Sequence, residues 1–279
     1  MSKKERHEFL TLSELLKDNE RWGDRHPGGT SSHDPKQVNF NDTDTYDETI
    51  GLTQSGWRKG AERVHALRTE LDDAVQSLVA AKAAAISYGV EGDWVDVGRL
   101  LTGDPECCGT WEVQGDDRND KVIKIIANVS VSWKVRQETI FARGAACLAA
   151  VDILESLGRR VELWVSIGIN DYRNGYSETH VLAKPASQPV DTDRLAFVLC
   201  HADMFRRILF AHMEINNHNP ECCVPTPVHS EDQAIILPEL RTGSVPSKNE
   251  NISQVIKICE MAGIVFSDED IAGLIRKAL

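Results

Sequence analysis

Apolar positions follow a helical period up to about residue 100 and a strand period soon after it. From Phe9 to Leu16, the side chains of Phe9, Leu12, Leu15 and Leu16 share one side, which predicts a short amphipathic helix. Arg21 to Asp47 is polar and rich in Gly, Asp, Asn, Ser and Pro, the composition of a loop that drapes over a domain or awaits a partner. Between Ser55 and Ser87 the helical period returns, with Trp57, Ala61, Val64, Leu67, Leu71, Val75, Leu78 and Val79 near one face. That spacing predicts a long helix with a break near Gly60. Val95 to Leu101 predicts a further short helix, ended by Gly103-Asp104-Pro105.

Beyond this point strands and helices alternate. Thr110 to Gln114 reads as a strand, with a polar turn over Gln114 to Asp120. Val122 to Val131 reads as a strand apolar on both faces at its start, as a central strand between helix layers is. The Ala-rich run Glu138 to Leu157 predicts a helix stopped by Gly158. Arg160 to Ile167 and Glu178 to Ala183 read as strands of a hairpin, turning at Asn170 to Tyr176 through Asn174-Gly175. Asp193 to Ile215 predicts a helix, Ala234 to Leu237 a short buried strand and Asn251 to Ala262 a helix. A last strand at Val265-Phe266 and a closing helix from Asp268 to Leu279 complete the reading. The order predicts an α/β fold with a mostly parallel sheet sandwiched by helices and an antiparallel hairpin strand at one edge. It predicts a helical region over residues 1–105, with its polar loop at 21–47, and an α/β domain over 106–279. A crossover between parallel strands is right-handed almost without exception.

Composition narrows the function classes. Of 279 residues, 41% are hydrophobic and 27% charged, which suits a globular core without staples. The formal net charge of −12 argues against a broad nucleic-acid backbone binder, since Lys and Arg supply most of that affinity. It suits solubility or a basic partner and leaves room for a local basic patch. No apolar stretch has the length to span a bilayer, and Met1 to Glu8 is charged. Cys147, Cys200 and Cys259 sit in apolar helical patterns as buried free thiols, so a reduced, cytoplasmic protein is expected.

The Asn128-x-Ser130-x-Ser132 strand end carries a resemblance. The run Ile125-Ile126-Ala127-Asn128-Val129-Ser130-Val131-Ser132, then Arg143 to Leu163, resembles the Asp-x-Ser-x-Ser strand, first helix and second strand of von Willebrand factor A domains. Asn128 stands where that family has Asp. Thr192, in Asp191-Thr192-Asp193, takes the place of the family's second-loop Thr. Glu239, in Leu237-Pro238-Glu239-Leu240, stands in for the missing third-loop Asp. Trp94 to Gly98 and Pro105 to Cys108 resemble an uncharacterised phage and bacterial group. The resemblance implies a degenerate Mg²⁺ or Mn²⁺ site built from Ser130, Ser132, Thr192, Asn128 and Glu239, whose hard oxygen ligands suit those ions. It also implies a partner-binding edge of Asn128, Ser130, Ser132, Trp133, Asp191, Thr192 and Asp193. Loss of the Asp charge weakens such a site, and the bland role for Asn128 and the serines is to satisfy backbone groups at the strand end.

Other signals are weaker. Pro-Glu-Cys-Cys occurs at Pro105 to Cys108 and at Pro220 to Cys223, with His218 and His229 near the second, but adjacent cysteines chelate zinc poorly. His201 and His212 lie eleven apart on one predicted helix face, and His180 is expected to be exposed on an edge strand. Arg58, Lys59, Arg63 and Arg68 read as a solvated face. No Gly-x-Ser-x-Gly, His-Glu-x-x-His or phosphate-binding Gly-rich motif is present. The reading is therefore a non-enzymatic interaction or scaffold protein that binds a protein partner or itself. The alternatives are a divalent-metal-dependent enzyme or nucleic-acid-acting protein using Asn128, Ser130, Ser132 and Thr192, and a viral factor that binds host machinery by its acidic surface.

Overall fold

The computed structural model describes residues 4–21, 32–34, 42–66, 69, 85–92, 94–112, 122–156, 158–171, 175–216, 218, 223–230, 233–241 and 248–264. In chain order its first elements are strand β1 (Lys4–Phe9), helix α1 (Leu12–Asn19), helix α2 (Tyr46–Ser55) and helix α3 (58–66). Then come β2 (Ala85–Gly89), β3 (Trp94–Val95), α4 (Val97–Leu101) and β4 (Cys108–Glu112). The central elements are β5 (Ile123–Asn128), α5 (Gln137–Ser156), β6 (Val161–Asp171), β7 (Gly175–Lys184) and α6 (Thr192–Cys200). A π-helical stretch (Met204–Leu209) runs into α7 (Phe210–Ile215), followed by β8 (Cys223–Pro225), β9 (Ile235–Leu237) and α8 (Lys248–Met261).

The main sheet has the order β1-β7-β6-β5-β9, with β8 pairing the far end of β6. β5 lies between two parallel partners, β6 and β9, and four of its six residues are buried. The expected mostly parallel α/β sheet is thus present, and the β6–β7 hairpin is antiparallel as expected. The hairpin strand is not at the edge: β1 pairs parallel to β7, with His7 opposite Thr179 and Glu8 opposite His180. β2, β4 and β3 form a separate small antiparallel sheet.

Alternation divides the main sheet's side chains between its faces. Ile125, Ala127, Leu163, Val165, Ile167 and Val181 join one large apolar cluster with residues of α1, α3, α5, α6, α7 and α8. On the opposite face Ile126 and Trp164 form a small cluster under Val228. α5 is buried around most of its circumference, as a helix between other helices must be. It meets α6 closely, because a Cβ on Gly144 would lie 2.3 Å from the Leu199 carbonyl oxygen.

Several local expectations shift. The first helix begins at Leu12, capped by the Thr11 side chain, and Phe9 belongs to β1. The long helix expected over Ser55 to Ser87 is broken at Gly56-Trp57, where Gly56 takes φ +81° and the Trp57 N–H donates to Asp193 O at 2.9 Å. Its last residues belong to β2, and residues 67, 68 and 70–84 lie outside the described residues. The Asp193 to Ile215 helix breaks at His201, whose Nδ1 accepts from the Asp203 N–H at 3.2 Å. The turn residues 172–174 and the expected elements after Ile264 lie outside the described residues.

The polar N-terminal loop drapes over the domain where it is described. Arg207 donates through Nη1 to Ser32 O and Asp34 O, at 3.0 and 3.1 Å, and through Nη2 to Thr43 O at 3.0 Å. Asp203 accepts from Asp42 N–H, Thr43 N–H and Thr43 Oγ1. Glu214 accepts from Ser32 N–H at 3.1 Å.

Candidate functional site

The carboxyl end of β5 places Asn128 and Ser130 together, and both are fully buried. The amide of Asn128 is used twice: Nδ2 donates to Thr226 O at 2.9 Å, and Oδ1 accepts from Ser130 N–H at 3.0 Å. Ser130 Oγ donates to Gly168 O and accepts from Gly168 N–H, both at 3.1 Å. These residues satisfy backbone groups of β6 and of the segment after β8, which crosses the end of β5. Buried polar groups in protein interiors are paired in this way, because an unmade bond there costs far more than one in water.

The next residues turn outward. Ser132 N–H donates to Leu240 O at 2.8 Å, and Leu240 N–H donates to Ser130 O at 2.9 Å, so residues 130–132 and 238–241 run side by side. Val135 N–H closes a turn onto Ser132 O at 3.0 Å, and Val135 O accepts from Arg206 Nη2 at 3.0 Å. Between these fixed points Trp133 is 72% exposed, with Lys134 Nζ 5.3 Å from its ring centroid. Lys134 and Arg136 are also exposed on this loop of an acidic protein.

Glu239 belongs to this edge. Its Oε1 accepts from Arg241 Nε at 2.8 Å, whereas Oε2 is buried with no hydrogen-bond partner. Arg143 reaches beneath it to Leu237 O and Pro238 O, and burial pulls that guanidinium down to about 10.

Thr192 does not converge on the Asn128 loop. The carboxyl end of α6 lies beside the first turns of α5: Leu199 and Cys200 meet Gly144, and His201 and Ala202 share a cleft with Gln137 and Glu138, so α6 runs opposite to α5. Thr192 starts α6 about 12 Å away along the helix axis. Asp191 is its N-cap, accepting from Arg194 N–H at 3.1 Å, and Asp193 is held by Trp57. Asn128, Ser130, Ser132, Trp133 and Glu239 therefore form one locality, and Asp191, Thr192 and Asp193 another. Among the described residues no three His, Cys, Asp or Glu side chains form a metal-ligand set.

The second face of the sheet holds a polar chain that sequence reading missed. Ser166 Oγ lies 2.6 Å from His180 Nδ1, and His180 Nε2 lies 3.4 Å from Glu178 Oε2. Glu178 Oε1 takes His229 Nδ1 at 2.7 Å and the Tyr176 hydroxyl. The expectation of an exposed His180 is corrected: it is 2% exposed, because β1 covers the hairpin's outer side. Tyr176, Glu178 and His180 alternate along β7, so a period of two was the signal available. Ser, His and Glu in line suggest acyl transfer, but Ser166 is fully buried, and an acyl-transfer serine must meet its substrate. Burial holds the His180 imidazole below the ordinary range, against the pull of Glu178. For Glu178, burial acts upward, and the hydrogen bonds from Tyr176, His229 and His180 bring it below the usual carboxylate range.

The start of α5 also borders a cleft of about 170 Å³ lined by Trp57, Phe141, Arg63, Asp42 and His201. Arg63 stacks 3.8 Å from the Phe141 ring centroid, and His201 Nε2 lies 3.6 Å from Asp42 Oδ2. Burial lowers the His201 pKa and raises that of Cys200, so the thiol in this cleft is protonated and a poor nucleophile. Cys107, Cys108, Cys147, Cys200 and Cys259 are free thiols. No described helix is long and apolar enough to cross a membrane.

No curated protein and no solved structure matches the chain. The model of one family, described as a domain of unknown function (DUF7192), matches residues 2–264. That match takes in β1, the sheet, the strand-end loops and α8, and the chain belongs to the DUF7192 family.

Proposed function

We propose that this protein is a non-enzymatic interaction module, a degenerate von Willebrand factor A-like domain that grips a protein partner at the carboxyl edge of its sheet. The observation that carries the reading is Trp133, exposed on a loop fixed at both ends by Ser132–Leu240 and Val135–Arg206 hydrogen bonds. An exposed Trp on an ordered loop loses little conformational freedom on binding, and Trp is enriched among interface residues that dominate affinity. Lys134 and Arg136 favour an acidic face on the partner. The A-like identity is supported by the order β5, α5, β6, β7, α6, β9, α8, and by Asn128 and Ser130 at the end of β5. A phage or bacterial origin rests on the Trp94 to Cys108 stretch alone, and the cytoplasmic setting on the free thiols.

The test is affinity capture and light scattering of the wild type beside Trp133→Ala. The expected result is a recovered partner, or self-association, that the substitution weakens at least tenfold, which is about 1.4 kcal/mol. A monomer that recovers nothing, or a complex indifferent to Trp133→Ala, overturns the reading.

One observation favours a second reading. Glu239 Oε2 is a buried carboxylate oxygen without a hydrogen-bond partner, beside the Ser130 to Ser132 strand end. A divalent ion there, held by Glu239 and Ser132 without Thr192, is the metal-dependent alternative. Calorimetric titration of Mn²⁺ into the wild type and Glu239→Gln distinguishes it: heat lost in the variant supports the ion, and no heat in either removes it.

A further inference from the structure

Among the described residues ten large apolar side chains are exposed, and five of them fall between Val90 and Leu101. Val97, Leu100 and Leu101 have the i, i+3, i+4 spacing of one helix face, and they are 62, 53 and 81% exposed. Val90 and Val95 add 72 and 48%. α4 has no buried residue at all.

This helix is nevertheless held, and by its polar side. Asp96 caps it, accepting from Arg99 N–H at 3.2 Å and from the Tyr88 hydroxyl at 3.2 Å. The Arg99 guanidinium lies 3.7 Å from the Tyr88 ring centroid, donates to Glu106 O at 3.3 Å and faces Asp104 at 3.4 Å. Asp104 N–H in turn donates to Arg99 O at 3.0 Å. The usual arrangement is inverted: polar groups fasten α4 to the small sheet, and the apolar ridge faces outward. Contiguous exposed apolar surface of this kind marks interaction sites.

The charge around the ridge selects the occupant. Glu91 and Glu106 are exposed on either side of this segment in the chain, Asp96 and Asp104 stand at the two ends of α4, and Arg99, the cation among them, is engaged by Asp104. We infer that the α4 ridge is a second docking surface, separate from the Trp133 loop, and that it receives a basic amphipathic helix. Such a helix would lay its apolar stripe on Val97, Leu100 and Leu101 and set Lys or Arg against these carboxylates.

The probe is a labelled synthetic helix of leucine and lysine, about 15 residues long, followed by fluorescence anisotropy against the full chain. The wild type is expected to bind it, and the same peptide with glutamate for lysine at least tenfold more weakly. Leu101→Asp is expected to reduce affinity about tenfold or more, and Leu100→Ser severalfold. Leu101→Asp adds negative charge, so a contact made by charge alone would tighten. Trp133→Ala is expected to leave binding unchanged, which separates this surface from the other. Absence of binding, equal binding of both peptides, or full affinity in a folded Leu101→Asp would overturn the inference. So would partition of the protein onto vesicles of anionic lipid through the same leucines.

Discussion

Glu178 Oε1 accepts two hydrogen bonds from one residue, His229: the backbone N–H at 2.9 Å and Nδ1 at 2.7 Å. A carboxylate only accepts, so the Nδ1 of His229 carries the hydrogen and Nε2 faces outward, on a side chain 63% exposed. The bond fastens the segment after β8 over the end of β5, where Tyr176 adds a contact to Pro227 O at 2.8 Å. Glu178 is fully buried and its pKa is lowered, so its contribution is present above the unfolded carboxylate value and is lost as pH falls through the folded value. Glu178→Gln is expected to cost about 2–3 kcal/mol near pH 7. The gap from wild type should close as pH falls below about 4. Chemical denaturation across that range checks it, and a gap independent of pH would contradict it.

Arg207 is fully buried and bonds to backbone oxygens of Ser32, Asp34 and Thr43, and Asp203 accepts from the same loop. Arg207→Leu keeps the bulk and strips the donors. The expected loss is about 3–4 kcal/mol, since the buried carbonyls of the loop are left without their donor. Limited proteolysis should then cut within residues 32–45 well before the sheet. Cleavage at the wild-type rate would show that the clamp does not hold the loop.

Gly144 is where α5 and α6 touch. A Cβ there would sit 2.3 Å from Leu199 O and 2.6 Å from its carbonyl carbon, both backbone atoms that cannot swing aside. Gly144→Ala is therefore expected to destabilise by about 1–3 kcal/mol, despite the better helix propensity of Ala. Gly158→Ala is the control for an open position: it has nothing within 4 Å but takes φ +78°, so its cost comes from backbone strain. A Gly144→Ala protein as stable as wild type would mean that the helices part without penalty.

How much was legible follows from what each pattern encodes. The Asn128-x-Ser130 strand end and its parallel partner at Arg160 to Ile167 were readable, because apolar runs bounded by Gly and Asn name buried strands. β1 was not, because a charged Lys-Glu-Arg-His-Glu run becomes a strand only through its pairing with β7, more than 160 residues away. That one omission made β7 an edge and His180 exposed. The break at His201 was hidden for a different reason: Phe197 to Ile215 is buried throughout, Asp203, Arg206, Arg207 and Glu214 included, so its polar positions do not trace a solvent face whose shift would mark a change of helix phase. The separation of Thr192 from Asn128 depends on which end of α6 meets α5, and helical periodicity carries no such direction.

Asn128 gives the sharpest separation between a strand-end scaffold and a damaged metal site. Its Nδ2 donates to Thr226 O, and Asp has no donor there when ionised. Asn128→Asp would thus set a fully buried carboxylate against a carbonyl oxygen. Its folded pKa should rise, because the protonated acid can still donate to Thr226 O. With the folded value above the unfolded one, the variant keeps its stability below about pH 4 and loses it as pH rises through the folded value. The expected penalty at pH 7 is about 3 kcal/mol or more. Mn²⁺ is expected to leave that penalty in place, since Ser130 Oγ is already committed to Gly168. A stable Asn128→Asp protein that gains further stability with Mn²⁺ would reverse the argument. It would mean that the segment after β8 moves aside and that Glu239 and the new carboxylate close on the ion.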